Sequence, residues 1–96
     1  MLPPMKFKAK IWQWRGPAPY YFVTVPDEES VEIKHISKMV TYGWGMIPAA
    51  ITVNKTTVKT ALFYKNGNYI VPLKLSLRTT EKLLEGDEIT IALQVG

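Results

Sequence analysis

The final stretch of the chain alternates apolar residues with polar or small ones. The apolar positions are Ile89, Ile91, Leu93 and Val95. A two-residue period puts these side chains on one face, so it predicts a half-buried β-strand and excludes a helix. Upstream, a leucine-containing segment that begins at Pro72 and ends before Gly86 predicts a short helix. Its apolar side consists of Leu73, Leu77, Leu83 and Leu84.

The start of the chain has the same period but then departs from it. Three lysines alternate with three apolar residues, at Lys6, Lys8 and Lys10 and at Phe7, Ala9 and Ile11. Trp12 and Trp14 then fall on the lysine side of the pattern. Either a β-bulge near Ile11 and Trp12 exchanges the two faces, or both tryptophans stand beside the lysines on an exposed surface. We favour the bulge or local packing; the exposed alternative would offer nucleic-acid bases a stacking platform.

The middle of the chain predicts a strand, a helix and a β-hairpin. Residues 20–25 are aromatic or β-branched and predict a strand. Pro26 and the three carboxylates after it predict a helix that ends before Gly43 and covers the sheet. Its covering residues are expected to be Val31, Ile33 and Ile36. A strand over 47–53 turns at Asn54-Lys55 into a strand over 56–65, and Asn66-Gly67 predicts a tight hairpin turn.

One short pattern occurs twice in the sequence. Val25-Pro26 is followed by Ser30, and Val71-Pro72 is followed by Ser76, so the two copies lie 46 positions apart. Each half of the chain is then a strand hairpin followed by a short helix. Two such halves can interlock so that each one buries the apolar sheet face of the other.

Several motifs, in this order, carry a resemblance to known families. They are 43–48 (GWGMIP), 55–63 (KTTVKTALF), 69–74 (YIVPLK), Arg78 and Glu85-Gly86-Asp87. The chain resembles the family called domain of unknown function nineteen-oh-five, whose members are small β-barrels found alone or joined to a bacteriocin-protection domain. The segment 69–95 is also similar to the swapped-hairpin unit of AbrB/MazE-type double-split barrels.

The resemblance and the repeat together imply the fold class. We expect a mainly β domain with two short helices, arranged as a closed six-stranded double-split β-barrel with an internal pseudo-twofold repeat. It should span residues 1–96 as one domain, with 1–5 as a flexible tail. The resemblance carries over no catalytic residue.

Composition narrows the class of protein only slightly. The 96 residues include no cysteine, so packing rather than disulfides must stabilise the core. No segment is apolar for long enough to span a bilayer, and the first residues lack a signal sequence, so we expect a cytoplasmic protein without membrane contact. A net charge of +4 permits an anionic partner. We expect a monomer or a weak homodimer.

Residues capable of chemistry are few and scattered. His35 is the only histidine and has no partner residues for a metal site or a catalytic triad. The carboxylates at 27–29 are interpreted as helix-start residues. The segment Tyr42-Gly43-Trp44-Gly45 lacks the features of a phosphate-binding loop. Trp44 either plugs one end of the barrel or forms a lid over a pocket.

These observations favour a non-enzymatic binding module for nucleic acid or a small ligand. Lys74, Arg78 and Lys82 have the spacing of one basic stripe on the second helix. The candidate surface therefore comprises Trp12, Trp14, Trp44, Lys74, Arg78 and Lys82, with no catalytic, cofactor or metal residues. The alternatives are a protein-interaction or structural module and, less favoured, a small enzyme. An enzyme pocket would be lined by Tyr42, Trp44, Tyr64 and Arg78.

Overall fold

A mainly β architecture with two helices is observed, as the alternation predicts. The computed structural model describes residues 4–15, 20–40 and 46–95, with the side chains of all of these except 36–40. In this part of the chain the strands are β1 (Met5–Lys10), β2 (Trp12–Trp14), β3 (Tyr20–Thr24), β4 (Ile47–Val53), β5 (Thr56–Lys65), β6 (Asn68–Pro72) and β7 (Glu88–Val95). The helices are α1 (Asp27–Val40) and α2 (Leu75–Thr80).

The strands form one curved antiparallel sheet in the order β1-β7-β4-β5-β6-β3-β2. The described residues make an open half-barrel of seven strands, where we expected a closed barrel of six. The extra strand arises because the predicted first strand is interrupted at Ile11. Its first part, β1, pairs with β7, whereas its second part, β2, pairs with β3 at the other end of the sheet.

The chain bends at Ile11, the single residue between β1 at one end of the sheet and β2 at the other. Its side chain is buried, its N–H donates to the Asp87 carbonyl at 2.9 Å, and its carbonyl accepts the Gly86 N–H at 2.7 Å. The alternation continues through this corner: Ile11 points inward, and the tryptophans after it stay on the outer, lysine-bearing side. The exchange of faces expected from a bulge is therefore wrong, whereas the local packing favoured beside it is observed, since Trp12 stacks on Phe22. Two residues, Gly86 and Asp87, bond to the single residue Ile11, and Gly86 has φ 89°, so a G1 bulge bends the sheet here and its extra residue lies on the segment opposite Ile11.

Tight turns set the registers of β4, β5 and β6. Asn54 has φ 55°, and Asn66 and Gly67 have φ 53° and 91°. Positive φ at both Asn66 and Gly67 is the requirement of a type I′ hairpin, so the predicted turn is confirmed. The long strand β5 pairs with β4 along its first part and with β6 along its last part, and it thereby joins the two sides of the half-barrel.

The core is aliphatic and lies on the inner face of the curved sheet. Its fully enclosed side chains include Val23, Ile33, Ile51, Leu62, Val71, Leu77, Ile91 and Leu93. The inward positions predicted for β7 are confirmed, and on β4 alternate residues from Ile47 to Val53 are buried in the same way. On α1, Ile33 is buried but Val31 is 59% exposed, which corrects the expectation that Val31 covers the sheet. Ser30 takes the buried position instead, because it is three residues from Ile33 and lies on the same helix face. The side chain of Ile36 lies outside the described ones.

Helix α2 is shorter than predicted. Pro72 ends β6 rather than starting the helix, because the next N–H, that of Leu73, bonds to the Tyr21 carbonyl at 2.8 Å and continues the strand pairing. The helix closes with Lys82 in the left-handed region, φ 54°, and with a bond of 2.9 Å from the Leu83 N–H to the Arg78 carbonyl. This arrangement is a Schellman motif. Leu77 and Leu83 are buried as predicted, but Leu84 is 69% exposed.

The sequence repeat is visible in the strand registers. In the β3–β6 pair Thr24 lies opposite Ile70, and in the β4–β7 pair Ala49 lies opposite Val95. Both pairs join residues 46 positions apart, which is the offset of the two Val-Pro motifs. Each of these residues thus faces its own equivalent in the other half.

Ser30 connects α1 to the sheet and provides a stability test. Its hydroxyl donates to the Val25 carbonyl at 3.0 Å and accepts the Tyr69 N–H at 3.1 Å, in a buried setting. Ser30→Ala leaves that N–H without a partner, so we expect a loss of about 1–3 kcal/mol in the free energy of unfolding, measured by urea denaturation. The matched control is Ser76→Ala, because Ser76 is the exposed equivalent in the repeat. Equal effects of the two changes would contradict the prediction.

Glu81 joins the segment after α2 to the β4–β5 turn by hydrogen bonds. Its carboxylate accepts hydrogen bonds from the Thr56 hydroxyl and, at 2.7 Å, from the Asn54 amide. The bond from Thr56, followed by that from Asn54, lowers the pKa of Glu81 below its ordinary value. A carboxyl group whose pKa is lowered on folding stabilises the fold above its unfolded pKa and stops doing so as the pH falls through the folded one.

Replacing Glu81 should therefore have an effect that depends on pH. We expect Glu81→Gln to be destabilising at neutral pH and to match the wild type once the pH is well below about 4.3, the ordinary value for glutamate. Urea denaturation across this range measures the difference. In an Asn54→Ala/Thr56→Val background the same change should show little pH dependence, and a dependence that persists there would refute the assignment.

Candidate ligand-binding groove

A groove of about 340 Å³ runs along the outer face of β2, β3, β6 and β5. We call it the aromatic groove, and its lining residues are Trp12, Trp14, Tyr20, Phe22, Phe63, Tyr64, Lys65 and Ile70. Strand pairing assembles it, since residues directly opposite each other in an antiparallel pair share a face. Trp12 lies opposite Phe22, and Trp14 lies opposite Tyr20.

The rings of the aromatic groove stand close together. Trp12 and Phe22 stack with ring centroids 5.1 Å apart and an interplanar angle of 29°. Trp14 and Tyr20 stack at 6.2 Å and 30°, while Tyr20 and Phe22 are tilted at 6.5 Å. These separations lie within the range of favourable aromatic pairs. The groove wall is therefore a ladder of packed rings rather than a set of independent side chains.

Several of these rings are exposed to solvent. Trp14 and Phe63 are each 40% exposed and Tyr20 is 55% exposed. Ile70, which lies on β6 beneath them, is only 8% exposed. Large apolar side chains that cluster on a surface indicate a binding site more strongly than one isolated exposed residue does. The groove thus has an aliphatic floor and an exposed aromatic rim.

Trp12 is the most constrained ring of the groove. Its Nε1 donates to the Thr24 hydroxyl at 3.0 Å, its ring stacks on Phe22, and the Lys65 ammonium lies 5.5 Å from its ring centroid. Its orientation is thereby set before any ligand arrives. A ring that is already ordered loses little conformational entropy on binding.

A polar extension continues the groove toward the β5–β6 turn. It has a volume of about 290 Å³ and is lined by Trp12, Thr24, Lys65, Asn66, Asn68 and Ile70. The Asn68 amide group donates to the Val25 carbonyl at 3.0 Å and to the Asp27 carboxylate at 2.8 Å, which fixes its orientation. Trp12, Lys65 and Ile70 line both parts, so the two form one continuous surface.

Of the described residues that line this surface, Lys65 is the charged one, and the Asp27 carboxylate lies beside the lining, where it is bonded to the Asn68 amide. Lys65 lines both parts, and neither lining, as far as the chain is described, contains an aspartate or glutamate. At the far side, the Lys34 ammonium lies 4.2 Å from the ring centroid of Tyr64, another lining residue. Outward-facing Lys10 precedes Trp12 by two positions on the same side of the strand. This arrangement attracts anionic ligands.

The predicted site residues separate into two places. Trp12 and Trp14 line the aromatic groove, whereas Arg78 and Lys82 lie beside α2 at another depression. Lys74 is the extended residue before α2 and Lys82 follows the helix end, so the three cations do not form the expected helical stripe. The helix starts after Lys74 and ends before Lys82, so only Arg78 of the three lies on it.

The Arg78 guanidinium packs over the Tyr21 ring at 4.1 Å, and its Nε donates to the Leu73 carbonyl at 3.2 Å. Part of its role is therefore structural. The predicted positions Trp44 and Tyr42 lie outside the described residues.

Sequence reasoning missed five of the described lining residues: Tyr20, Phe22, Phe63, Lys65 and Ile70. Tyr20 and Phe22 alternate correctly for one face of a strand, so the pattern showed that they share a side. It did not show which residues of β2 they oppose, because a register requires a known turn geometry between the two strands. Phe63 joins them only through the pairing of β5 with β6, where it lies opposite Ile70.

Other kinds of site have little support in the structure. Among the described residues, no group of three or more histidine, aspartate or glutamate side chains could hold a metal ion. His35 is exposed on α1. None of the helices in the described ranges is long and apolar enough to cross a membrane. The aromatic groove is thus the most developed candidate site in the described part of the chain.

Family comparison agrees with the resemblance inferred from the motifs. Residues 7–93 match the family described as Domain of unknown function (DUF1905), so the chain belongs to this family. The match covers every strand from β2 to β6 and most of β1 and β7. Comparison with curated proteins gives no match.

Proposed function

We propose that the protein is a binding module that takes single-stranded nucleic acid in the aromatic groove. The observation that carries this proposal is the cluster of exposed rings on one sheet face beside Lys65, in a described lining without a carboxylate. Stacking on aromatic side chains, combined with cations that follow the backbone, is the general mode by which proteins hold single strands.

The groove provides a surface for each part of a nucleotide. The rim rings Trp14, Tyr20 and Phe63 present faces on which bases stack. Lys65 is placed between the aromatic part and the polar extension, where it can meet a phosphate. A duplex would keep its bases stacked on each other and away from these rings. Single strands are therefore the preferred form.

A small planar ligand is the second candidate. The volume of about 340 Å³ lies at the lower end of the range for small-molecule pockets, and the lining is almost wholly apolar. A free aromatic metabolite would use the same rings but would depend less on Lys65. Salt dependence therefore distinguishes the two ligand classes.

The two register pairs at the repeat offset support an approximate twofold relation between the halves, as in AbrB-type double-split barrels. The single residue between β1 and β2 supports closure of the half-barrel at Ile11. We also retain a non-enzymatic role, because the lining consists mainly of rings that bind through their faces.

Loss of one rim ring should weaken binding. Because stacking contributes about 1–3 kcal/mol per base, Trp14→Ala should raise the Kd for a fluorescent single-stranded oligonucleotide pool by about 5- to 150-fold. Trp14→Phe retains a stacking face and should have a smaller effect, as measured by fluorescence anisotropy. An unchanged Kd in Trp14→Ala, or no binding by the wild type at low salt, would overturn the proposal.

Loss of Lys65 should change the salt dependence of binding. For a single strand each phosphate contact contributes about 0.7 to the slope of log K against log salt, so Lys65→Ala should reduce the slope by about that amount. Lys59→Ala is the matched control, because Lys59 is an exposed lysine on the same strand outside the groove. If both variants change the slope equally, Lys65 does not contact phosphate at this site.

A further inference from the structure

A second depression, of about 290 Å³, lies beside α2. Its lining residues are Leu75, Arg78, Thr79, Lys82, Leu83 and Leu84. We propose that this α2 depression docks a segment of a partner protein that carries carboxylates between aliphatic side chains. This inference does not depend on nucleic-acid binding, because it concerns a different surface.

The depression is bordered by two exposed leucines. Leu75 is 67% exposed and Leu84 is 69% exposed, and they are among the most exposed large apolar side chains in the described ranges. Leu83, which is 8% exposed, forms a buried apolar part of the lining. Leucines at both edges of a concavity offer apolar surface to a partner that has aliphatic side chains of its own.

The charges of the depression are cationic. Arg78 and Lys82 line it, and no carboxylate does so among the residues described. Of the acidic residues close by in the sequence, Glu81 binds Thr56 and Asn54, the Asp87 carboxylate accepts the N–H of the lining residue Leu84 at 2.9 Å, and Glu85 is exposed next to Leu84. Charge complementarity therefore selects a partner with carboxylates.

The cations are held in place before docking. Arg78 is fixed by the Tyr21 ring and by the Leu73 carbonyl, and Lys82 follows the closed end of the helix. A guanidinium ordered in this way loses less conformational entropy when it binds a carboxylate than a freely rotating one does.

The α2 depression and the aromatic groove lie on opposite sides of β3. Tyr21 points toward Arg78, while its neighbours Tyr20 and Phe22 point into the aromatic groove, as strand alternation requires. A partner at α2 therefore leaves the aromatic groove open. The module could hold nucleic acid and a protein at the same time.

The test is a selection from a displayed library of random peptides against the whole chain. The Lys82→Glu and Leu84→Ser variants serve for counter-selection. We expect the enriched peptides to combine glutamate or aspartate with leucine, isoleucine or valine. In NMR titrations they should shift the amide signals of Leu75, Arg78 and residues 82–84. Lys82→Glu should raise their Kd about tenfold.

Matched controls distinguish binding at this site from non-specific peptide binding. Lys55→Glu and Val31→Ser change an exposed lysine and an exposed aliphatic residue elsewhere, and neither should alter the Kd. No enrichment, enrichment without acidic residues, or shifts outside α2 would overturn the proposal. The proposal would also be contradicted if the wild type bound anionic vesicles or oligonucleotides and Lys82→Glu removed that binding. It would be contradicted as well if the wild type self-associated and the Leu84→Ser variant did not.

Discussion

The corner at Ile11 is the constraint on which the remaining architecture depends. One residue separates the two ends of the sheet, and its main-chain bonds to Gly86 and Asp87 hold the bend. Because the extra residue of this bulge belongs to the Gly86-Asp87 segment and not to the strand of Ile11, inward and outward positions keep their order from β1 into β2. The outer lysine face of one strand thereby becomes the outer tryptophan face of the next. Both the core and the aromatic groove follow from this single continuous alternation.

Most of the fold could be predicted from local patterns. The inward residues of β4 and β7 and the Asn66-Gly67 turn follow from short-range preferences that the structure respects. Errors occurred where a long-range bond overrides a local preference. Proline is favoured at the first position of a helix, but the bond from the Leu73 N–H to the Tyr21 carbonyl keeps Pro72 in β6. This bond delays the start of α2, so Lys74 precedes the helix, while the Schellman motif at its other end leaves Lys82 beyond it.

The aromatic groove could be predicted only in part, for a related reason. Alternation indicated that Trp12 and Trp14 share a side, but their exposure depends on how the strand bends at Ile11. Their neighbours come from β3 and β5, and the registers of these strands are properties of the assembled sheet. A surface formed across four strands has no signal within any one of them. Chemistry assembled by pairing therefore becomes visible only in the structure.

The pairing of Thr24 with Ile70 and of Ala49 with Val95 has a consequence for how such a chain can evolve. Where two identical subunits meet about an axis, every substitution occurs twice, and each half must tolerate it. A single chain that carries both copies of the motif is free of that restriction, because each copy mutates alone. The two serines of the repeat show the outcome: Ser30 is buried and bonded, whereas Ser76 is exposed. Within one chain the two copies of the Val-Pro motif can thus diverge independently, one keeping a buried hydroxyl and the other an exposed one.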